Sequence, residues 1–148
     1  MSWTGTRSMN AKVFIDTNIL VYAHDIDAGL KQQKAIEILL DLRKQRSIAV
    51  SMQVLQEFYS TVTRKLATPL PRDEARAIVE DFSYWCVEMT PAEINRAFQI
   101  EDEARINFWD AMIIAAAIKS GASRILSEDL NPGQIIAGIQ IENPFAIP

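Results

Sequence analysis

The sequence predicts an α/β fold, a three-layer α/β/α sandwich with a central, mostly parallel five-stranded sheet and an added helical lobe. Short apolar runs alternate with longer amphipathic segments along the chain, and strands that are separated by helices pair in parallel with helices on both faces. The 148 residues suit one domain. The number of helices expected between Leu30 and Arg105 exceeds what the strand connections need, which predicts the lobe.

The five strands are predicted from short apolar runs with polar or turn-forming boundaries. The first run ends at Asp16, and the turn Asn131 to Gly133 separates the last two runs. The predicted strands cover residues 12–16, 48–50, 85–89, 124–127 and 139–141.

The helices are predicted from the 3.6-residue spacing of apolar side chains and from their end signals. Thr90, Pro91 and Glu93 form a helix start with a capping box, and Gly121 is a typical helix end. The predicted helices cover residues 30–46, 52–66, 71–84, a segment starting at residue 90, and 108–120.

The composition excludes several classes of function. Lys and Arg total 15 against 19 Asp and Glu, a net charge of −4, so the chain lacks the strongly basic character typical of nucleic-acid-binding domains. One Cys and one His cannot form an intrachain disulfide or a Cys/His zinc site. Neither a membrane span nor a signal peptide is apparent. We expect a cytoplasmic protein with a flexible leader, residues 1–9, and a single domain, residues 10–148.

Acidic side chains follow two of the predicted strands. Asp16 ends the first strand, while Glu128 and Asp129 end the fourth. Parallel strands carry such residues to the same rim of the sheet, where ligands bind. Side chains alternate along a strand, so only one of Glu128 and Asp129 should face that rim, and spacing alone leaves the choice open.

Two further acids lie on predicted helices. Asp110 is the only charged residue between Ile106 and Ile118, and a carboxylate on an apolar face is costly unless it has a partner. Glu57 lies beside apolar helix positions. Carboxylates that lie close together repel one another, and a hard cation such as Mg²⁺ or Mn²⁺ relieves this repulsion. Such a cation can also activate a water molecule for attack on a phosphodiester bond.

Four segments together resemble the PIN-domain family, and more narrowly the VapC-type toxin nucleases of bacterial toxin–antitoxin pairs. The segments are Val13 to Asn18, the isolated Glu57, Phe108 to Ala111, and Ile125 to Leu130. The resemblance extends from about residue 12 to residue 145, and it depends on the order and spacing of the four segments together.

The resemblance implies a metal-dependent endoribonuclease that holds one or two Mg²⁺ or Mn²⁺ ions. It favours Asp129 over Glu128 as the acid after the fourth strand. The residues that match the catalytic and metal-binding acids are Asp16, Glu57, Asp110 and Asp129, and those that match supporting positions are Thr17, Asn18 and Ser127.

The resemblance also implies an RNA substrate, a cognate antitoxin protein and a homodimer. Arg64 and Lys65 follow Glu57 by about two helical turns and are the best candidates for binding RNA phosphates. Trp109, beside Asp110, is expected to pack in the core or in an interface.

Two other functions are compatible with the fold. A non-catalytic PIN-like module would keep the fold and bind RNA or protein without turnover. A phosphoryl-accepting signalling domain would use an Asp at a strand end, but that class needs a Lys at the end of a late strand, and the segment from Arg124 to Ser127 offers none.

Overall fold

The computed structural model describes residues 11–146. The predicted leader, residues 1–9, lies outside this range and stays a prediction. Within the range the chain forms five strands and six helices. Their bounds are β1 Lys12–Ile15, α1 Thr17–Ala23, α2 Leu30–Lys44, β2 Ile48–Ala49, α3 Met52–Arg64, α4 Arg72–Ser83, α5 Pro91–Ala104, α6 Phe108–Ser120, β3 Ala122–Leu126, β4 Ile135–Ile136 and β5 Ile139–Glu142.

The strands form one sheet in the order β2-β1-β3-β5-β4. The β1–β2, β1–β3 and β3–β5 pairs are parallel, and only β4 runs antiparallel to its neighbour β5. The predicted fold class, a mostly parallel five-stranded sheet between helices, is therefore confirmed.

The prediction of a strand at residues 85–89 is wrong. The amides of Trp85 and Cys86 still donate to carbonyls of the last turn of α4, so the chain has not yet left helical geometry there. Only one isolated parallel bridge, between Val50 and Cys86, joins this segment to the sheet.

The fifth strand of the sheet is instead β4. A two-residue turn connects β4 to β5, with which it pairs. Its turn residues, Ala137 and Gly138, have φ values of 51° and 84°. Two consecutive positive φ values are typical of the hairpin turns that match the twist of the strands, and Asn-Gly is their usual signal. An alanine in the first position hides that signal in the sequence.

The sheet is buried on both faces. Val13, Phe14 and Ile15 are consecutive in β1 and each is fully buried, although successive side chains point to opposite faces. Helix α6 contacts β1, β3 and β5, and α5 packs on α6. Strands β1 and β2 are parallel and are connected through α1 and α2. Such a connection is right-handed as a rule, which puts α1 and α2 on the face opposite to α6.

Helices α3 and α4 pack against each other, and α3 also contacts α1. This pair corresponds to the predicted helical lobe. No helix within residues 11–146 combines the length and the hydropathy that a membrane crossing requires.

Strand β1 lies between β2 and β3, so the chain moves to one side of β1 first and to the other side later. The carboxyl ends of β1 and β3 therefore flank a crevice at which open α/β sheets bind ligands. Asp16 and Ser127 are the first residues after these two strands.

Candidate active site

Asp16 is held rigidly at the end of β1. It is 8% exposed and caps α1, with the Thr17 amide donating to Oδ1 at 2.8 Å. The Ser127 hydroxyl donates to Oδ2 at 2.7 Å. Burial raises the pKa of Asp16 to about 6, and the nearby carboxylates Asp129 and Glu57 add to the rise, while the two hydrogen bonds oppose it.

Ser127 links the ends of the two central strands. It is fully buried, and its Oγ accepts the amides of Asp129 and Leu130 at 3.1 and 3.3 Å while donating to Asp16. The predicted supporting hydroxyl thus fixes the backbone turn that carries Asp129.

Asp129, not Glu128, faces the other acids. Asn18 Nδ2 donates to Asp129 Oδ2 at 3.1 Å, and Asn18 Oδ1 accepts the amide of Glu128 at 3.2 Å. The Glu128 carboxylate points elsewhere, because it pairs with the Lys31 ammonium at 2.5 Å and accepts the Tyr22 hydroxyl. Although burial alone would raise the pKa of Glu128, these two bonds lower it.

Glu57 projects from α3 and has a partner for each oxygen. Thr17 Oγ1 donates to Oε2 at 2.9 Å, and Gln53 Nε2 donates to Oε1 at 3.1 Å. Gln53 Nε2 also lies 3.3 Å from the carbonyl oxygen of Trp109. The Gln53 amide therefore joins α3 to the first turn of α6.

Asp110 lies in that first turn and is half-buried. Asn107 caps α6 by accepting the Asp110 amide at 2.8 Å, and its Nδ2 donates to Asp110 Oδ2 at 2.9 Å. Burial raises the pKa of Asp110, the bond from Asn107 lowers it, and Asp129 and Glu57 raise it further.

The four predicted acids therefore converge from four different parts of the fold. Asp129 and Glu57 disfavour ionisation of both Asp16 and Asp110. A cleft of 420 Å³ opens beside Glu57 and Asp129, which line it, whereas Asp16 and Asp110 are not among its lining residues. Its lining comprises Thr17, Asn18, Val21, Tyr22, Glu57, Ser60, Thr61, Lys65 and Asp129.

Arg64 and Lys65 are both exposed, but only Lys65 lines this cleft. The two basic residues, which were predicted together as candidates for binding RNA phosphates, therefore differ in their position relative to the cleft.

The donors that surround the cleft are carboxylate, hydroxyl and amide oxygens, a set that suits a hard divalent cation. Within residues 11–146, however, no three Asp, Glu, His or Cys side chains close around a single point as a ready-made ion cage. The donor chemistry nonetheless fits such a cation.

Gln53 and Asn107 are residues of this site that the sequence reasoning missed. For Asn107 a signal existed, since Asn three residues before an acid at a helix start is a capping pattern. For Gln53 none existed, because its role depends on how α3 meets α6.

A cavity larger than this cleft lies apart from the four acids. It is an apolar groove of 1040 Å³ along α3, α4 and the segment after α4. We call it the α3–α4 groove, and its lining comprises Met52, Leu55, Gln56, Tyr59, Arg76, Val79, Ser83, Cys86, Val87, Glu88 and Met89.

Comparison with known proteins supports the fold. One of the solved structures that match is VapC20 of Mycobacterium tuberculosis, described as a toxin that cleaves the sarcin–ricin loop. It shares 17% identity with a TM-score of 0.53, and the alignment covers 80% of this chain and 92% of VapC20. None of the curated proteins gives a significant match. The family model for the PIN domain matches residues 13–135, which include all four acids, and the chain therefore belongs to the PIN-domain family.

Proposed function

We propose that this protein is a divalent-metal-dependent endoribonuclease, the toxin of a toxin–antitoxin pair. The observation that carries the proposal is the convergence of Asp16, Glu57, Asp110 and Asp129 beside one cleft at the carboxyl ends of β1 and β3. Membership of the PIN-domain family and the similarity to a toxin nuclease support it.

Asp16, Glu57, Asp110 and Asp129 are the residues that would hold Mg²⁺ or Mn²⁺. When bound, the cation supplies charge neutralisation at the phosphate and activation of the attacking water. Thr17, Asn18 and Ser127 keep three of the acids in fixed orientations through the hydrogen bonds described above. Because these bonds exist before substrate arrives, little reorganisation is needed at the reacting phosphate.

The substrate class is RNA. Lys65 lies in the cleft with Glu57 and Asp129, so its ammonium can contact a phosphate next to the scissile one. This local cation attracts the backbone although the chain as a whole carries a net charge of −4.

The protein partner that we propose is a small antitoxin. The α3–α4 groove is apolar and runs along the helix that carries Glu57, so a segment bound there would lie close to the site. We also propose that the protein forms a homodimer, as the resemblance to toxin nucleases implies. A toxin that acts on cellular RNA is expected to be located in the cytoplasm.

The decisive experiment incubates purified, antitoxin-free protein with total cellular RNA in Mg²⁺, Mn²⁺ or EDTA. We expect discrete fragments with metal and none in EDTA. Asp16→Asn and Asp110→Asn should each lower the cleavage rate by at least about 100-fold, the scale on which loss of one charge-stabilising group acts.

Asp102→Asn is the matched control, because Asp102 is an exposed acid of α5 outside the cleft. It should cleave like the wild type, and circular dichroism should show that all variants fold. Equal cleavage by the wild type and both site variants would refute the nuclease proposal.

A non-catalytic PIN-like binding module is the alternative. It predicts metal-independent RNA or protein binding without turnover. The buried Asp16 speaks against it, since a carboxylate with a pKa of about 6 destabilises the fold at neutral pH and is retained at a cost.

A further inference from the structure

Trp109 is unusually exposed for its size and position. The indole is 65% exposed, so packing in the core, one of the two expected placements, is wrong, while placement in an interface stays a prediction. Trp109 directly precedes Asp110, and the two Cα atoms are therefore about 3.8 Å apart. An exposed aromatic side chain thus belongs to the same helical turn as one of the four acids, although it is not among the residues that line the cleft.

The ring is supported by other aromatic side chains. Phe108 meets Trp109 at a centroid distance of 5.1 Å in an edge-on arrangement, and Phe98 of α5 lies 5.8 Å from Phe108. Phe98 is itself 48% exposed. These contacts form a continuous aromatic row from α5 to the start of α6.

The backbone of Trp109 is also tied to the site. Gln53 Nε2 bonds both the Trp109 carbonyl, at 3.3 Å, and the Glu57 carboxylate, at 3.1 Å. Asn107 fixes the same helical turn through its bonds to Asp110. These hydrogen bonds connect the backbone of Trp109 to Glu57 and to the helical turn of Asp110.

Exposed tryptophan surface usually marks a binding site. Because Gln53 joins the Trp109 backbone to Glu57, an occupant of the indole lies close to the path of RNA toward the acids, and we favour the substrate over a permanent protein interface. Every unpaired nucleobase offers a flat face, and single-stranded RNA is commonly recognised by stacking on aromatic side chains.

We propose that Trp109 is the stacking surface for an unpaired base that flanks the scissile phosphate. This inference rests on the proposed nuclease function and extends it, because it assigns a base-binding role to a residue outside the four acids and their supporting hydrogen bonds. The phosphate-binding and base-binding parts of the site are then Lys65 and Trp109.

The test measures RNA binding in a cleavage-deficient Asp16→Asn background. The probes are oligoadenylate and an abasic ribose–phosphate oligomer of equal length and charge, and the readouts are Kd and quenching of tryptophan fluorescence. We expect oligoadenylate to bind about 10-fold tighter than the abasic oligomer, which is within the range of one base–aromatic stack.

Trp109→Ala should abolish this base-dependent advantage without changing the Kd of the abasic oligomer. Trp109→Phe should retain most of the advantage but lose the fluorescence quenching. Leu40→Ala, which truncates a side chain of α2 that is 63% exposed, should behave like the parent protein.

The proposal is overturned if Trp109→Ala weakens both oligomers equally or weakens neither. It is also overturned if that variant changes only the sedimentation behaviour, which would assign the ring to self-association. Cleavage of total RNA by the wild type, assayed in parallel, distinguishes failure of the stacking proposal from failure of the nuclease proposal. If the wild type cleaves RNA but Trp109→Ala has no effect on base-dependent binding, the nuclease proposal stands and the stacking proposal is wrong.

Discussion

At Asp16 the requirements of stability and of function conflict. Its carboxyl group is 8% exposed and has a pKa of about 6 instead of 3.8. The folded state therefore binds the proton more tightly than the unfolded state. Stability from this group is full below about pH 3.8 and is lost as the pH rises through about 6.

We predict that Asp16→Asn stabilises the metal-free protein at neutral pH. The gain should reach at most about 3 kcal/mol, from a shift of roughly two pKa units at about 1.4 kcal/mol each. It should shrink toward acid, because the wild-type carboxyl then becomes neutral as well. Urea unfolding in EDTA across this pH range measures it.

Asp102→Asn serves as the control, since that carboxylate lies at the surface of α5 and its replacement should change stability little at any pH. A wild-type protein more stable than Asp16→Asn at neutral pH would contradict the prediction. Mg²⁺ should raise the melting temperature of the wild type more than that of Asp16→Asn, because the ion needs the ionised carboxylate.

At the scale of the element, the start of α6 combines a structural and a chemical task in one residue. Asn107 Oδ1 caps the helix, while Asn107 Nδ2 orients the Asp110 carboxylate. Substitutions that remove one or both bonds can therefore distinguish the two tasks.

We predict that Asn107→Ala lowers stability by about 1 kcal/mol, the usual cost of a lost cap, and also lowers kcat. Asn107→Asp keeps a capping oxygen but faces Asp110 with a second negative charge. It should retain most of the stability and still lose activity. Thermal unfolding and cleavage rates measured on the same samples check both effects.

Thr63→Ala is a suitable control in a different helix. Its hydroxyl donates to the Tyr59 carbonyl within α3, at 2.7 Å, so both stability and cleavage should change little. Full activity of Asn107→Asp would show that the orientation of Asp110 does not depend on Asn107.

At the scale of the whole molecule, an acidic protein has to attract an anionic polymer. The net charge is −4, and several cations are engaged in ion pairs on the surface, including Lys31 with Glu128 and Arg43 with Asp81. Lys65 is the cation that lines the cleft beside Glu57, which assigns it a larger share in RNA binding than its neighbour Arg64.

We predict that Lys65→Ala raises KM for RNA several-fold with little change in kcat, while Arg64→Ala has a smaller effect. The loss of one phosphate contact should reduce the slope of log affinity against log salt by about 0.7 for single-stranded RNA. Cleavage kinetics and binding titrations at several salt concentrations test this. Equal effects of the two variants would show that the position of Lys65 in the cleft has no special role.

Much of the fold followed from local patterns. The capping box at Thr90 and Glu93 is present as predicted, and α6 ends at Gly121 with a φ of 80°, because these signals act within one helical turn. The same reasoning wrongly predicted a strand at residues 85–89. The apolar side chains there cover the helical lobe, and only one bridge joins this segment to the sheet.

The sequence by itself determined the class of fold and the order of the four acids, because hydrophobic periodicity and strand-end positions are properties of neighbouring residues. The tertiary structure decided which acids face one another. Glu128 turns toward Lys31 and Asp129 toward Asn18, a choice made by contacts across about a hundred residues. The exposure of Trp109 is also a property of the tertiary structure, since the apolar sequence around it was equally compatible with packing in the core and the indole is 65% exposed.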